Sequence, residues 1–62
     1  MNNEITILIA DDHPIVRQGL RQMIEEDRSL RVVAEVSDGE QAVEAVAEHQ
    51  PQITILDVDM PL

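Results

Sequence analysis

Apolar positions along this chain fall into five blocks whose spacing alternates between two kinds. Ile5-Thr6-Ile7-Leu8-Ile9-Ala10 is short, rich in β-branched residues and almost unbroken. That is the pattern of a parallel strand covered on both faces. It stops at Asp11-Asp12-His13, and Pro14 suits the first helical position with Asp12 or His13 capping before it. Val16, Leu20, Met23 and Ile24 then recur at helical spacing, with Arg17, Arg21, Glu25 and Glu26 on the other side. A helix from about Pro14 to Asp27 follows from that spacing. Asp27-Arg28-Ser29 reads as a turn. Val32, Ala34 and Val36 alternate with Arg31, Val33 and Glu35, which predicts a strand at a sheet edge. Ser37-Asp38-Gly39-Glu40 has capping-box spacing, with Ser37 as the cap. Ala42, Val43, Val46 and Ala47 form the next helical face, with Glu44 and Glu48 solvated. Pro51 closes that helix, and Ile53-Thr54-Ile55-Leu56 is a third buried-strand pattern leading into Asp57.

The predicted order is β-α-β-α-β, which implies an α/β fold with a parallel sheet and right-handed crossovers. Two arrangements are open. Strand order 1-2-3 places both helices on one face, and order 2-1-3 places a helix on each face. The first strand is apolar at both alternations, as a central strand must be. The second carries Arg31 and Glu35, as an edge strand can. The order 2-1-3 is therefore expected. It sets the carboxyl ends of strands one and three side by side at the point where the winding reverses, where open α/β sheets bind ligands. The residues placed there are Asp11, Asp12 and Asp57.

Composition changes this picture in three ways. With 62 residues the chain is one domain or a piece of one, and a chain this short buries only about 60% of its unfolded surface. There is no aromatic residue, so aliphatic side chains build the core, and no cysteine, so there is neither a disulfide nor a thiolate metal site. Absent cysteine fits a cytoplasmic location. Four arginines stand against thirteen acids and there is no lysine, giving a net charge of -9. Such a surface repels nucleic acid and anionic membranes and favours divalent cations and basic partners. The Ile5 to Ala10 run is too short for a membrane span or a signal segment.

Three carboxylates in one crevice repel one another, and a hard divalent cation relieves the repulsion. Mg2+ takes oxygen ligands and typically one or two protein carboxylates beside phosphate oxygens. A site of this kind can make one aspartate a nucleophile toward a phosphoryl group. Asp57, last on a strand with apolar neighbours, is the expected nucleophile. Asp12 read alone is equally an N-cap, and Asp11 read alone a solvated loop acid. The three together carry the reading.

The residues also resemble a known family. Ile7-Leu8-Ile9-Ala10-Asp11-Asp12-His13-Pro14 followed by Val16-Arg17-Gln18-Gly19-Leu20, then Asp38-Gly39-Glu40-Gln41-Ala42, then Pro51 to Pro61, are similar in order to response-regulator receiver domains of two-component systems. The NarL/FixJ group, with its LuxR-type DNA-binding output domain, is the most similar. The resemblance implies a flavodoxin-like (receiver) fold, of which residues 1–62 are the amino-terminal half, with the output domain outside the chain. It implies Asp57 as the phospho-acceptor, with no enzymatic turnover. Asp12 matches the direct Mg2+ ligand, Asp11 the one acting through water, and Asp59 the residue whose backbone carbonyl completes the metal site. The implied donor is a phosphohistidine on a sensor histidine kinase, docking near Ile15, Val16 and Leu20, and the implied role of the intact protein is control of transcription. The family's Ser or Thr after strand four and its Lys after strand five have no counterpart in these residues, so reduced activity is expected of the chain alone.

Other residues read more plainly. His13 beside Pro14 is expected to be structural, and His49 to meet carbonyls at a helix end. Gly19 inside a helix implies close packing, and Met23 and Met60 are expected to fill gaps. Two other readings stay open. The third strand's uncovered edge makes the chain a candidate for homodimerisation or other self-association. Asp57-Val58-Asp59 also resembles the DxD motif of haloacid-dehalogenase-like phosphatases, although that motif normally follows the first strand.

Overall fold

The computed structural model describes residues 4–57. Asp59 and Met60, two of the positions singled out above, lie outside them. β1 (Ile5–Ala10), α1 (Pro14–Glu25), β2 (Leu30–Val36), α2 (Gly39–His49) and β3 (Ile53–Leu56) follow in chain order. The three strands form one parallel sheet in the order β2-β1-β3. Ile7, Leu8, Ile9 and Ala10 are all buried, with Leu8 and Ile9 fully so. Successive side chains of a strand point to opposite faces, so both faces of β1 are covered and the helices lie on opposite sides.

The ladder contains a feature that simple alternation misses. Ile7 pairs with Val32 but Leu8 pairs with Ala34, leaving Val33 as an extra residue in β2. Such a bulge breaks the two-residue period and re-aims the side chains beyond it. Val32 therefore shares a face with Ile7, whereas Ala34 and Val36 share the opposite face with Leu8 and Ala10. The expectation that Val32, Ala34 and Val36 line one face is corrected on this point. Ala34 and Val36 sit in a shallow groove with Gln41 and Ala45 of α2. Glu35, between them, faces α1, where Arg21 Nη1 donates to its Oε2 at 3.0 Å.

The helices depart from the sequence pattern in detail. α1 begins at Pro14 with His13 as its cap and ends two residues early, where Asp27 Oδ1 accepts hydrogen bonds from the Ser29 N–H and hydroxyl. Leu20 and Ile24 are half-buried, but Val16 and Met23 are exposed, so Met23 fills no gap. A Cβ at Gly19 would meet nothing within 4 Å, so no close packing within the described residues explains it. The cap of α2 is Asp38 rather than Ser37: its Oδ1 accepts from Gln41 N–H at 2.7 Å, while Gln41 Oε1 accepts from Ser37 N–H. The cap is the expected device moved along by one residue, but its return bond goes to the residue before the cap. α2 buries Ala42 and Ala45 and leaves Val43, Val46 and Ala47 exposed. His49 pairs with the Glu48 carboxylate at 3.0 Å rather than with a terminal carbonyl.

Among the described residues, β3 pairs with β1 alone and its backbone does not approach either helix closely. Ile53 is 45% and Leu56 57% exposed, so both are only partly covered. Among the described residues no helix is long and apolar enough to cross a membrane.

Candidate functional site

The end of β1 is pinned from both sides. Asp11 N–H donates to Val36 O at 3.0 Å and Asp57 N–H donates to Ala10 O at 2.9 Å. Those two bonds carry the parallel ladders one step past the last strand residues, so the chain leaves β1 and β3 at the same level. Asp11, Asp12 and Asp57 are thereby brought together, as the 2-1-3 order requires. Asp11 is buried, Asp57 half-buried and Asp12 exposed at the rim.

A fourth group joins them. One ligand-capable atom from each of Asp11, Asp12, His13 and Asp57 lies within 4.8 Å of all the others. His13 Nδ1 is 2.8 Å from Asp11 Oδ1, 2.9 Å from Asp12 Oδ1 and 3.6 Å from Asp57 Oδ2. Asp11 Oδ1 also accepts the His13 backbone N–H at 2.8 Å, closing a two-residue turn. That backbone bond is the main reason the Asp11 carboxyl is held below the ordinary carboxylate value, with the imidazole and the Arg17 charge adding to it against the cost of burial. The His13 imidazole is pushed up from its ordinary 6.5, first by the hydrogen bond to Asp11 and then by the charge of Asp12.

Sequence reasoning gave His13 a structural loop role and did not place it among the acids. The available signal was its position directly after two aspartates at a helix start. A titration checks the arrangement: followed by ring-proton resonances, His13 has a midpoint above 6.5, and Asp11→Asn moves it down. The sign of the linked stability follows from the raised value. The contribution is fully present below the ordinary imidazole midpoint and disappears as pH rises through the shifted one.

Arg17 was also missed, having been assigned to the outer polar side of α1. It is 20% exposed, and its Nη1 donates to the main-chain carbonyl of Asp11 at 2.6 Å. The chemistry available here is that of a pocket of anionic oxygens at the carboxyl edge of a parallel sheet, with one carboxylate from a different strand. Such oxygens suit a hard divalent cation. The three carboxylates fit one, since an oxygen of each lies within 4.8 Å of the others, with His13 Nδ1 standing among them.

A three-stranded 2-1-3 parallel sheet with helices on both sides and acids at its switch point defines a receiver-type α/β unit. The sequence matches the response regulator receiver domain over residues 7–62, and the chain belongs to that family. It is 37% identical over 60 residues to a nitrate/nitrite response regulator protein homolog of Haemophilus influenzae, covering 97% of this chain and 29% of that protein. It is 43% identical over 56 residues to the nitrate/nitrite response regulator protein NarL of Escherichia coli, covering 90% of this chain and 26% of NarL. Among solved structures, the non-phosphorylated receiver domain of the stress response regulator RcsB from Escherichia coli superposes with a TM-score of 0.90 at 34% identity, over 95% of this chain and 45% of that one. The chain thus spans less than a third of these two regulators and under half of the RcsB receiver domain. A protein-glutamate methylesterase of Nitratidesulfovibrio vulgaris, 37% identical over 57 residues, shares the same part, covering 92% of this chain and 16% of the esterase. What the comparisons show in common is the receiver family.

Proposed function

We propose that the chain carries the phospho-accepting site of a two-component response regulator, with Asp57 as the acceptor. The observation that carries the reading is the convergence of Asp57 with Asp11 and Asp12 across two adjacent parallel strands. Asp11, Asp12 and Asp57 would hold Mg2+, with the Asp59 backbone carbonyl as a further ligand. When bound, the ion supplies charge neutralisation for the phosphoryl oxygens. The chain's own contribution is to fix Asp57 at the end of β3, beside Asp11 and Asp12. An Asp57 oxygen attacks phosphorus, the bond from phosphorus to the donor breaks, and the donor leaves with the electron pair. The product is an aspartyl phosphate, so the chain accepts one group and does not turn over.

The natural donor is a phosphohistidine of a sensor histidine kinase in the cytoplasm. Exposed apolar side chains on α1, with Ile15 83% exposed and Val16 beside it, support α1 as the kinase's docking surface. Leu20, half-buried against the sheet, contributes less to it than the sequence implied. Control of transcription is the output this reading assigns to the receiver, supported by the name of a further relative, the transcriptional regulatory protein DegU of Brevibacillus brevis, 39% identical over 59 residues. The 62 residues themselves make no nucleic acid contact. They lack the lysine that the family uses beside the phosphoryl group, so phosphorylation of the chain alone is slow.

Incubation with acetyl phosphate and Mg2+ followed by intact-mass measurement tests the reading. One phosphoryl group per chain is expected, and its absence with and without chelator would end the proposal. Continuous hydrolysis of a small phosphate ester would instead favour the DxD phosphatase reading. A second reading rests on β3, whose outer edge is unpaired among the described residues and whose Leu56 is exposed. An apolar strand edge of this kind pairs readily, and the expected form in solution is a homodimer. Light scattering at micromolar concentration checks it, and a monodisperse monomer counts against it.

A further inference from the structure

We infer that Arg17 is a positioning residue for the acid pocket and that it sets the pocket's affinity for a divalent cation. The inference rests on the cation-binding reading proposed above.

Asp11 N–H continues the β1–β2 ladder by bonding to Val36 O, but Asp11 is already past the end of β1. Its carbonyl receives the Arg17 Nη1 donor at 2.6 Å. The Asp11 carbonyl and the Asp12 N–H belong to one planar peptide unit. Fixing that carbonyl therefore fixes the plane from which the Asp12 side chain departs. Asp11 is fixed on its own side by the turn to His13. Arg17 thus controls the angle between two neighbouring carboxylates without touching either oxygen pair's common centre.

The guanidinium also has an acidic neighbour, in ion-pair range but beyond hydrogen-bond distance. Arg17 Nε lies 3.9 Å from Glu35 Oε1, and Arg21 Nη1 occupies Glu35 Oε2 at 3.0 Å. Glu35 in turn sits on the α1 face, paired with Ile9. A chain of contacts therefore runs from the sheet edge through Glu35 and Arg17 to the Asp11–Asp12 peptide. Groups that orient metal ligands from outside affect affinity strongly, with losses of about 10–100-fold on mutation.

Charge and positioning predict opposite signs, which makes the test sharp. If Arg17 acted only as a nearby positive charge, removing it would strengthen cation binding. If it positions the ligands, removing it weakens binding. Arg17→Met keeps the aliphatic stem and removes every donor. Mg2+ titration of the full chain, followed by backbone amide shifts, is expected to show about tenfold weaker binding for Arg17→Met. In the metal-free protein the Asp12 amide nitrogen shift is expected to move, because its peptide carbonyl loses its donor. Arg17→Lys, which keeps the charge and one donor, is expected to fall between. Equal or tighter Mg2+ binding by folded Arg17→Met overturns the inference. Should that variant unfold, Arg17→Lys carries the test: it keeps the charge, so weaker binding than the native chain supports the inference and unchanged affinity overturns it. Failure of the native chain to bind Mg2+ at all is a different result, which removes the cation-site reading itself.

Discussion

Asp57→Asn gives a chain that folds as before and accepts no phosphoryl group from acetyl phosphate. Asn has the shape of Asp but no carboxylate oxygen to attack phosphorus, so the covalent step has no nucleophile. The fold is insensitive to this change because Asp57 is joined to the sheet through its backbone: its N–H donates to Ala10 O at 2.9 Å whichever side chain it carries. Replacing one of four clustered polar groups by a neutral isostere also removes repulsion among the carboxylates, so the thermal midpoint is expected to hold or rise slightly. Intact mass after incubation reads the first outcome and circular dichroism the second. Incorporation by Asp57→Asn equal to the native chain would mean that the acceptor lies elsewhere.

Leu8→Ala has the largest expected effect on stability. Leu8 is fully buried in the central strand, so its truncation leaves a cavity with no solvent to fill it. Substitutions of this kind cost about 2–5 kcal/mol. Native domains hold roughly 0.05–0.15 kcal/mol per residue, which gives about 3–9 kcal/mol for a chain of 62 residues. The change therefore removes a large part of the total, and Leu8→Ala is expected to be partly or wholly unfolded at room temperature by urea titration. Ile53→Ala provides the comparison. Ile53 is also in a strand paired to β1 but is 45% exposed, so its loss costs less. Equal destabilisation by the two would mean that the core is not centred on β1.

The strand order was legible because one strand, β1, is apolar at both alternations and β2 is not. A central strand has no solvent face on which to place a charge, and Arg31 and Glu35 can belong only to an edge. From that order the meeting of Asp11, Asp12 and Asp57 followed. The bulge was not legible, because Val32, Val33 and Ala34 are all apolar and nothing marks where an extra residue enters. The cap of α2 slipped by one because Ser37 and Asp38 are comparable capping residues, and both Glu40 and Gln41 can close the box. Its buried face was misjudged for a related reason. Two overlapping stripes exist, and the one with small Ala42 and Ala45 packs against the sheet, leaving the larger valines outside. His13 and Arg17 were missed at the site because their roles depend on three-dimensional distances to acids, not on hydrophobic spacing.

The extra residue at Val33 lets Val32 and Glu35, three positions apart, share the α1 side of the sheet. A strand one residue shorter between Leu30 and Val36 could still pair with β1 along its whole length, and its apolar content would scarcely change. Glu35 would keep its pairing with Ile9 and its place on the α1 side, within reach of both arginines. Deletion of Val33 is therefore expected to spare the supports of the acid pocket, because parity beyond the bulge is kept.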